Sequence, residues 1–228
     1  MLILSADTSG PPGSVAFARD GTLLDQTETC SNESHSQRLF GSLQELLERH
    51  QLRLSDFDAF AVTRGPGSFA GLRIGVAALK AFGEVFQKPV VAVSTLEAIA
   101  ATVEPASSGV TIIPLMDARR GEMYCGAYAR NGGQLLRVHA DAVVNTEDLF
   151  KSQRGQTALF AGPEIEKFES VIFSHQERNW TFQKTTPYLA TAVAQVAFQK
   201  LNSGSNEWME DVPIQYIRRS DAEIFFKG

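Results

Sequence analysis

The strongest constraint on this chain is that it repeats itself. Residues Ala16 to Leu24 read AFARDGTLL and residues Ala127 to Leu136 read AYARNGGQLL, a close match once one extra residue is allowed at Gly132 or Gly133. Upstream of each copy an aspartate ends an apolar run: Asp7 follows LILSA, and Asp117 follows IIPLM. Each copy therefore reads as buried strand, acidic turn, second strand, hairpin and third strand. Duplication accounts for matching Asp, turn and strand order at one offset better than chance does. The chain has 228 residues, so each half, roughly 110 residues, is long enough to bury a core. The expected fold class is α/β: two lobes, residues 1–105 and 106–228, each with a mixed sheet flanked by helices. The stretch EPASSG, Glu104 to Gly109, reads as the linker.

Helical periodicity follows the first hairpins. In SHSQRLFGSLQELLERH the apolar residues Leu39, Phe40, Leu43, Leu46 and Leu47 recur at helical spacing, with Glu45, Glu48 and Arg49 opposite. A strand DAFAVT, Asp58 to Thr63, precedes the run RGPGSFAGLRIG, which leads into a helix with a core stripe of Phe69, Leu72, Val76, Leu79 and Phe86. Strand KPVVAVS and helix TLEAIAATV close the first lobe. In the second lobe, Leu159 to Gly162 reads as a strand end, Pro163 sits early in a helix EIEKFESVIF, and Pro187 starts a helix YLATAVAQVAFQKL. The alternating VPIQYIRR near the C-terminus reads as a final strand or a pairing tail.

Charge and composition narrow the function. A net charge of −5 argues against a chain that grips nucleic acid unaided, because neutralising phosphates needs clustered Lys and Arg, so any contact with RNA is expected to be shared or indirect. Ser5 and Asp7 break the N-terminal apolar run too early for a signal peptide, and no stretch is apolar enough to span a bilayer. Cys30 and Cys125 form no CxxC pattern and fit a reducing compartment. The expectation is a cytoplasmic protein that does not engage membranes.

The glycines at 67, 71 and 75 recur every fourth residue across a loop-to-helix junction. Backbone N–H groups at such a junction can receive an anion. Glycines four apart also share one helical face, where another helix can come close. The nucleotide motifs fail here: Gly71 is followed by Leu72 and Arg73 rather than Lys-Ser/Thr, and Gly65, Gly67 and Gly71 miss GxGxxG by one residue. Packing is the favoured reading. Asp7, Thr8 and Ser9, with Asp117 in the second copy, mark a possible vestigial phosphate site. An Asp before a Gly-Pro turn equally serves as a turn-capping acceptor. In the second copy Arg119 and Arg120 stand where a phosphate-cradling turn wants small residues. His35 is followed four positions on by Leu39, so no HxxxH pair arises and no metal site is expected. No catalytic set of Ser-His-Asp or Cys-His type can be inferred.

The segments ILSADTS, HSQRL, RGPGSFAGLRIG, VSTLEA, DARRGEMYCGAY and PIQYIRR, in this order, resemble the TsaB (YeaZ) proteins across nearly the whole chain. The resemblance implies the duplicated actin, Hsp70 and sugar-kinase fold, which is RNase H-like in each lobe. It further implies a non-catalytic subunit of the complex that makes threonylcarbamoyladenosine next to the anticodon of tRNA. That subunit docks to and activates a catalytic TsaD-type subunit, works with a TsaE-type ATPase, and forms a homodimer when alone. ATP and Mg²⁺ are then expected on the partner subunits, with no cofactor required by this chain. On that reading the partner interface takes His35, Leu39, Phe69, Gly71, Arg73 and Gly75 from the two first-lobe helices, Leu39 and the Gly71–Gly75 face being exposed. The alternative is a small ATP-dependent kinase or acyl transferase of the same superfamily, using Asp7 and Asp117. The DARR turn and the lack of a paired-glycine motif in the second lobe stand against it. The family's older glycoprotease label finds no metal pair or nucleophile set here.

Overall fold

The computed structural model describes residues 1–29, 33–175, 177–204, 214, 215 and 217. Cys30 and most of VPIQYIRR lie outside the described residues. In the first lobe β1 (Leu2–Asp7), β2 (Gly13–Arg19) and β3 (Thr22–Thr29) form an antiparallel meander. Strands β4 (Ala59–Thr63) and β5 (Val90–Val93) extend it in parallel, giving the order β3-β2-β1-β4-β5. The second lobe repeats the plan with β6 (Thr111–Arg119), β7 (Glu122–Asn131), β8 (Gln134–Asn145), β9 (Ala158–Gly162) and β10 (Trp180–Lys184), ordered β10-β9-β6-β7-β8. The internal repeat thus marks equivalent hairpins. Asp20 and Gly21 turn between β2 and β3 at φ 52° and 76°, and Gly132 and Gly133 turn between β7 and β8 at φ 57° and 84°. Two successive left-handed residues match the twist of paired strands, which is why Gly recurs at both tips.

The helices are α1 (His35–His50), α2 (Phe69–Phe86), α3 (Thr95–Ala101), α4 (Thr146–Ser152), α5 (Glu169–His175) and α6 (Ala190–Asn202). Alternation along the strands divides their side chains between three cores. On β1, Leu2, Leu4 and Ala6 face α1 and α2 with Phe17, Phe60, Leu43 and Leu79. Ile3 faces the opposite side, where Ala61, Ile99, Tyr128, Leu159, Val193 and Ala197 form the junction between the lobes. Beyond the second sheet, Phe150, Phe160, Ile172 and Trp180 pack with α4 and α5. The order across the molecule is helices, sheet, helices, sheet, helices.

The central layer crosses the lobe boundary. Helix α3 belongs to the first lobe by sequence and packs on β6 and β7, while α6 belongs to the second and packs on β1 and β2. Polar ties fix the exchange. Ser5 Oγ donates to Ala190 O at 2.8 Å, Ala190 N donates to Ser14 Oγ at 3.0 Å, and Lys200 meets Glu97 at 2.9 Å. Arg130 on β7 donates to Ala101 O at 3.0 Å and to Val103 O at 2.9 Å, holding the start of the expected linker.

Three expectations shift. The segment EIEKFESVIF is a 3₁₀ turn, Ile165–Phe168, followed by the short α5 rather than one helix. Helix α6 begins at Ala190, not at Pro187, because the chain first crosses to the other sheet and its first helical N–H is taken by Ser14. Phe40, read as part of the core stripe of α1, is 47% exposed, whereas Leu39, Leu43 and Leu46 are buried. The structure also adds α4 and β10, which complete the second lobe.

Candidate functional site

The residues singled out around the first acidic turn come together at one end of the first sheet. Asp7 closes β1 and is buried. Its Oδ1 accepts from Ser9 N at 3.0 Å, from Ser9 Oγ at 2.7 Å and from Thr63 Oγ1 at 2.9 Å. Burial raises the carboxyl pKa above its usual value and outweighs these hydrogen bonds, together with one from the backbone N–H of Leu189 ahead of α6, all of which act to lower it. A carboxylate so enclosed is an internal acceptor that organises its own turn and meets the start of α6.

The glycine run is what closes over that turn. A Cβ at Gly71 would lie 2.0 Å from Thr8 O and 3.1 Å from the His35 ring, and one at Gly75 would lie 2.2 Å from Thr8 Oγ1. Gly67, at φ 157°, has Ser9 O only 2.4 Å from its Cβ position, and Ser68 N donates to Ser9 O at 2.6 Å. Ser68 also caps α2, accepting from Gly71 N at 3.3 Å. The close approach read from the glycine spacing is therefore real, but what approaches is the chain's own Thr8–Ser9 segment. The expectation that Leu39 and the Gly71–Gly75 face are exposed is corrected: all three residues are buried inside the lobe.

His35 and Arg38 complete the enclosure from α1. The first turn of α1 is held by a capping box of Ser34 and Gln37. An Arg38 terminal nitrogen donates to Pro11 O, and the other lies 3.0 Å from His35 Nδ1. His35 Nε2 lies 3.4 Å from Ser68 Oγ. Asp7, Thr8, Gly13, Thr29, His35 and Arg38 line a small cleft here. Arg38, Thr63 and Ser68 were not singled out in the sequence. Thr63 and Ser68 flank the glycine run as strand end and N-cap, a signal readable only once the strand and helix boundaries are known.

Of the remaining candidates, Phe69 is half-buried and Arg73 is exposed, its guanidinium 5.7 Å from the Phe69 ring. Other exposed positions on α2 are Ala70, Ala77, Ala81, Glu84 and Val85, the last 73% exposed. On α1, Phe40, Gly41, Gln44, Glu45, Glu48 and Arg49 are exposed, with nothing within 4 Å of a Cβ built at Gly41.

Asp117 stands apart in the second sheet. Its Oδ1 accepts from Arg119 N at 2.6 Å, and its Oδ2 lies 4.0 Å from Lys167 Nζ. Arg119, Arg120 and Gly121 take φ of 63°, 57° and 74°, turning β6 directly into β7. Among the described residues no group of three or more His, Cys, Asp or Glu is placed to hold a metal ion, and no helix is long and apolar enough to cross a membrane.

Comparison with known proteins fits this geometry. Residues 28–224 match the family model described as TsaD: tRNA N6-adenosine threonylcarbamoyltransferase. The chain is 32% identical to the tRNA threonylcarbamoyladenosine biosynthesis protein TsaB of Bacillus subtilis, over 75% of each chain. It is 36% identical to the protein of the same name from Escherichia coli, over 58% of this chain and 56% of that one. The chain belongs to the TsaB (YeaZ) family. A crystal structure from Pseudomonas aeruginosa, described as similar to the peptidase YeaZ, superposes with a TM-score of 0.78 at 26% identity, covering 95% of this chain and 99% of that chain. A ROK hexokinase from Thermus thermophilus, at TM-score 0.50 and 12% identity over 90% of this chain and 100% of that chain, shows the sugar-kinase type of two-lobed fold alone. Two of the segments that carry the resemblance, RGPGSFAGLRIG and DARRGEMY, lie at the two acidic turns. RGPGSFAGLRIG is the lid on the Asp7 turn and the start of α2, and DARRGEMY is the β6–β7 hairpin.

Proposed function

We propose that this chain serves tRNA threonylcarbamoyladenosine biosynthesis, the process for which its Bacillus subtilis and Escherichia coli relatives are named, as a non-catalytic subunit that docks to a TsaD-type threonylcarbamoyltransferase and activates it. The observation that supports a non-catalytic role is the filled first turn. The space in which backbone N–H groups at the start of α2 could meet a phosphate is taken by Thr8 and Ser9, which lie against the bare Cα positions of Gly67, Gly71 and Gly75. The docking surface is the outward face of α1 and α2, not the buried glycine face. Its exposed residues include Phe40, Gly41, Ala70, Ala77, Ala81 and Val85, which are small or apolar, interspersed with the polar Gln44 and the charged Glu48, Arg73 and Glu84. Small side chains there let a partner's helices come close, and Phe40 and Val85 supply exposed apolar area to bury. A TsaE-type ATPase joins the assembly, and ATP and Mg²⁺ act on the partner subunits. In the absence of the partner the same face pairs two copies of this chain.

The test is reconstitution with the TsaD-type and TsaE-type proteins of the same organism, each chain omitted in turn. Complex size and tRNA modification should both depend on this chain, and Ala77→Arg should abolish both while leaving the fold intact by circular dichroism. Modification proceeding without this chain would overturn the proposal, as would Mg-nucleotide bound by the isolated chain at micromolar concentration.

A further inference from the structure

The helix-pair surface is only as well defined as the angle between α1 and α2, and one side chain joins their first turns. His35, the first residue of α1, has Arg38 NH2 3.0 Å from Nδ1 and Ser68 Oγ 3.4 Å from Nε2. Its ring lies 3.1 Å from where a Cβ at Gly71 would stand, so bare Cα and imidazole are in contact. Donor and acceptor roles follow from chemistry. A guanidinium only donates, so Nδ1 must accept. The hydrogen then sits on Nε2, which donates to Ser68 Oγ, the same oxygen that accepts Gly71 N as the cap of α2. A second proton would place an N–H against the Arg38 guanidinium and remove the acceptor it uses.

We propose that His35 is a positioning residue whose neutral imidazole, with its hydrogen on Nε2, sets the start of α1 against the start of α2 and so keeps the docking face in register. The proposal rests on the docking reading above. Burial, and next the charge of Arg38, hold the His35 pKa below its usual value, in agreement with a neutral ring. The charged groups around it are Arg38 on its own helix and the buried Asp7 across the cleft; β2, β3 and α2 turn Ser14, Thr29 and Ser68 toward the same region. Because the folded pKa is lowered, the arrangement is complete above the unfolded value near 6.5 and is lost as pH falls through and below it.

Affinity for the TsaD-type partner, measured against pH with wild type, His35→Gln and His35→Ala, tests this. Glutamine can accept and donate in the same directions without titrating. Wild type should bind progressively more weakly as pH falls from about 7.5 through and below 6.5, because only the neutral form is competent. His35→Ala should bind more weakly at both, and His35→Gln should recover part of that loss with a flat profile. Nitrogen-15 shifts of the free protein should show hydrogen on Nε2 alone at neutral pH. Parallel pH profiles for wild type and His35→Gln, or hydrogen on Nδ1, would overturn the proposal. If Ala77→Arg binds as wild type does, the docking reading fails instead, and the imidazole shifts still decide the hydrogen-bond assignment.

Discussion

In the first lobe the chain runs from Thr8 to Pro12 between β1 and β2 and is covered by the start of α2; in the second it turns at Arg120 and Gly121 and meets solvent. The strands that lead into the two turns are equivalent, and so are β4 and β9; a Gly-Pro pair, Gly65-Pro66, comes shortly after β4, and another, Gly162-Pro163, straddles the end of β9. Counting from those pairs, Gly67, Gly71 and Gly75 correspond to Glu164, Phe168 and Ile172. The first segment can lie directly on its turn because it has no side chains at the contact. The second does not: Phe168 and Ile172 pack into the core beneath the sheet, and the side chain of Lys167 lies 4.0 Å from Asp117. Three glycines thus separate a buried polar turn from an open hairpin on the same duplicated frame.

Substitutions that add atoms to the first contact should have the largest effect. Gly71→Ala meets a backbone oxygen that cannot move aside and should lower stability by about 3 kcal/mol or more. Gly75→Ala meets the Thr8 side chain, so its cost, about 1–3 kcal/mol, should shrink when combined with Thr8→Ala, whereas Gly71→Ala should gain little from that background. Urea unfolding of the three single and two double variants measures both. In the second turn Gly121→Ala meets open space and carries only the left-handed backbone penalty, about 1–2 kcal/mol. Equal costs at Gly71 and Gly121 would break the comparison.

The aspartates should separate next. Asp7→Ala leaves Ser9 N and Thr63 Oγ1 buried without their acceptor and should cost about 1–3 kcal/mol, set against some relief from no longer burying a carboxyl group. Asp117→Ala frees one backbone donor in a half-exposed hairpin and should cost less than about 1 kcal/mol. The pH dependence sharpens the contrast. With its folded pKa raised by burial, Asp7 favours the fold most below its unfolded value of 3.8, and that contribution is lost as pH rises through the folded pKa. Denaturation measured from acidic to neutral pH should therefore show wild type losing ground to Asp7→Asn as pH rises. The smallest effect is expected at Lys167→Ala, within about 0.5 kcal/mol, because its ion pairs with Glu164 and Asp117 are both solvent-exposed.

Much of the fold was legible because duplication leaves its mark on local chemistry. The AFARDGTLL and AYARNGGQLL copies are both hairpins at equivalent places, and of the expected stripe Leu72, Val76 and Leu79 are buried while Phe69 and Phe86 are half-buried. The helix at EIEKFESVIF was harder to read, because a 3₁₀ turn and a short α-helix give the same apolar spacing as one longer helix. At the site, Asp7, Thr8 and Ser9 were identified and so was the glycine run, but not that they touch. Glycine spacing reports that something comes close, and a backbone segment distant in sequence leaves no periodic signal of its own. Thr63, Ser68 and Arg38 matter through partners from other elements, which no local pattern encodes.

The sequence by itself determined the lobe plan, the places of the hairpins and the kinship with the TsaB proteins, because strand alternation, turn residues and ordered motifs are properties of short stretches of chain. Only the tertiary structure decided which way the glycines face, that α3 and α6 pack across the lobe boundary, and that Phe40, Ala77, Ala81 and Val85 are left exposed among the charged residues of α1 and α2. Those outcomes depend on long-range packing, where backbone and side chains from separate elements compete for the same space and the bare Cα positions of α2 go to the closest-fitting segment, Thr8–Ser9.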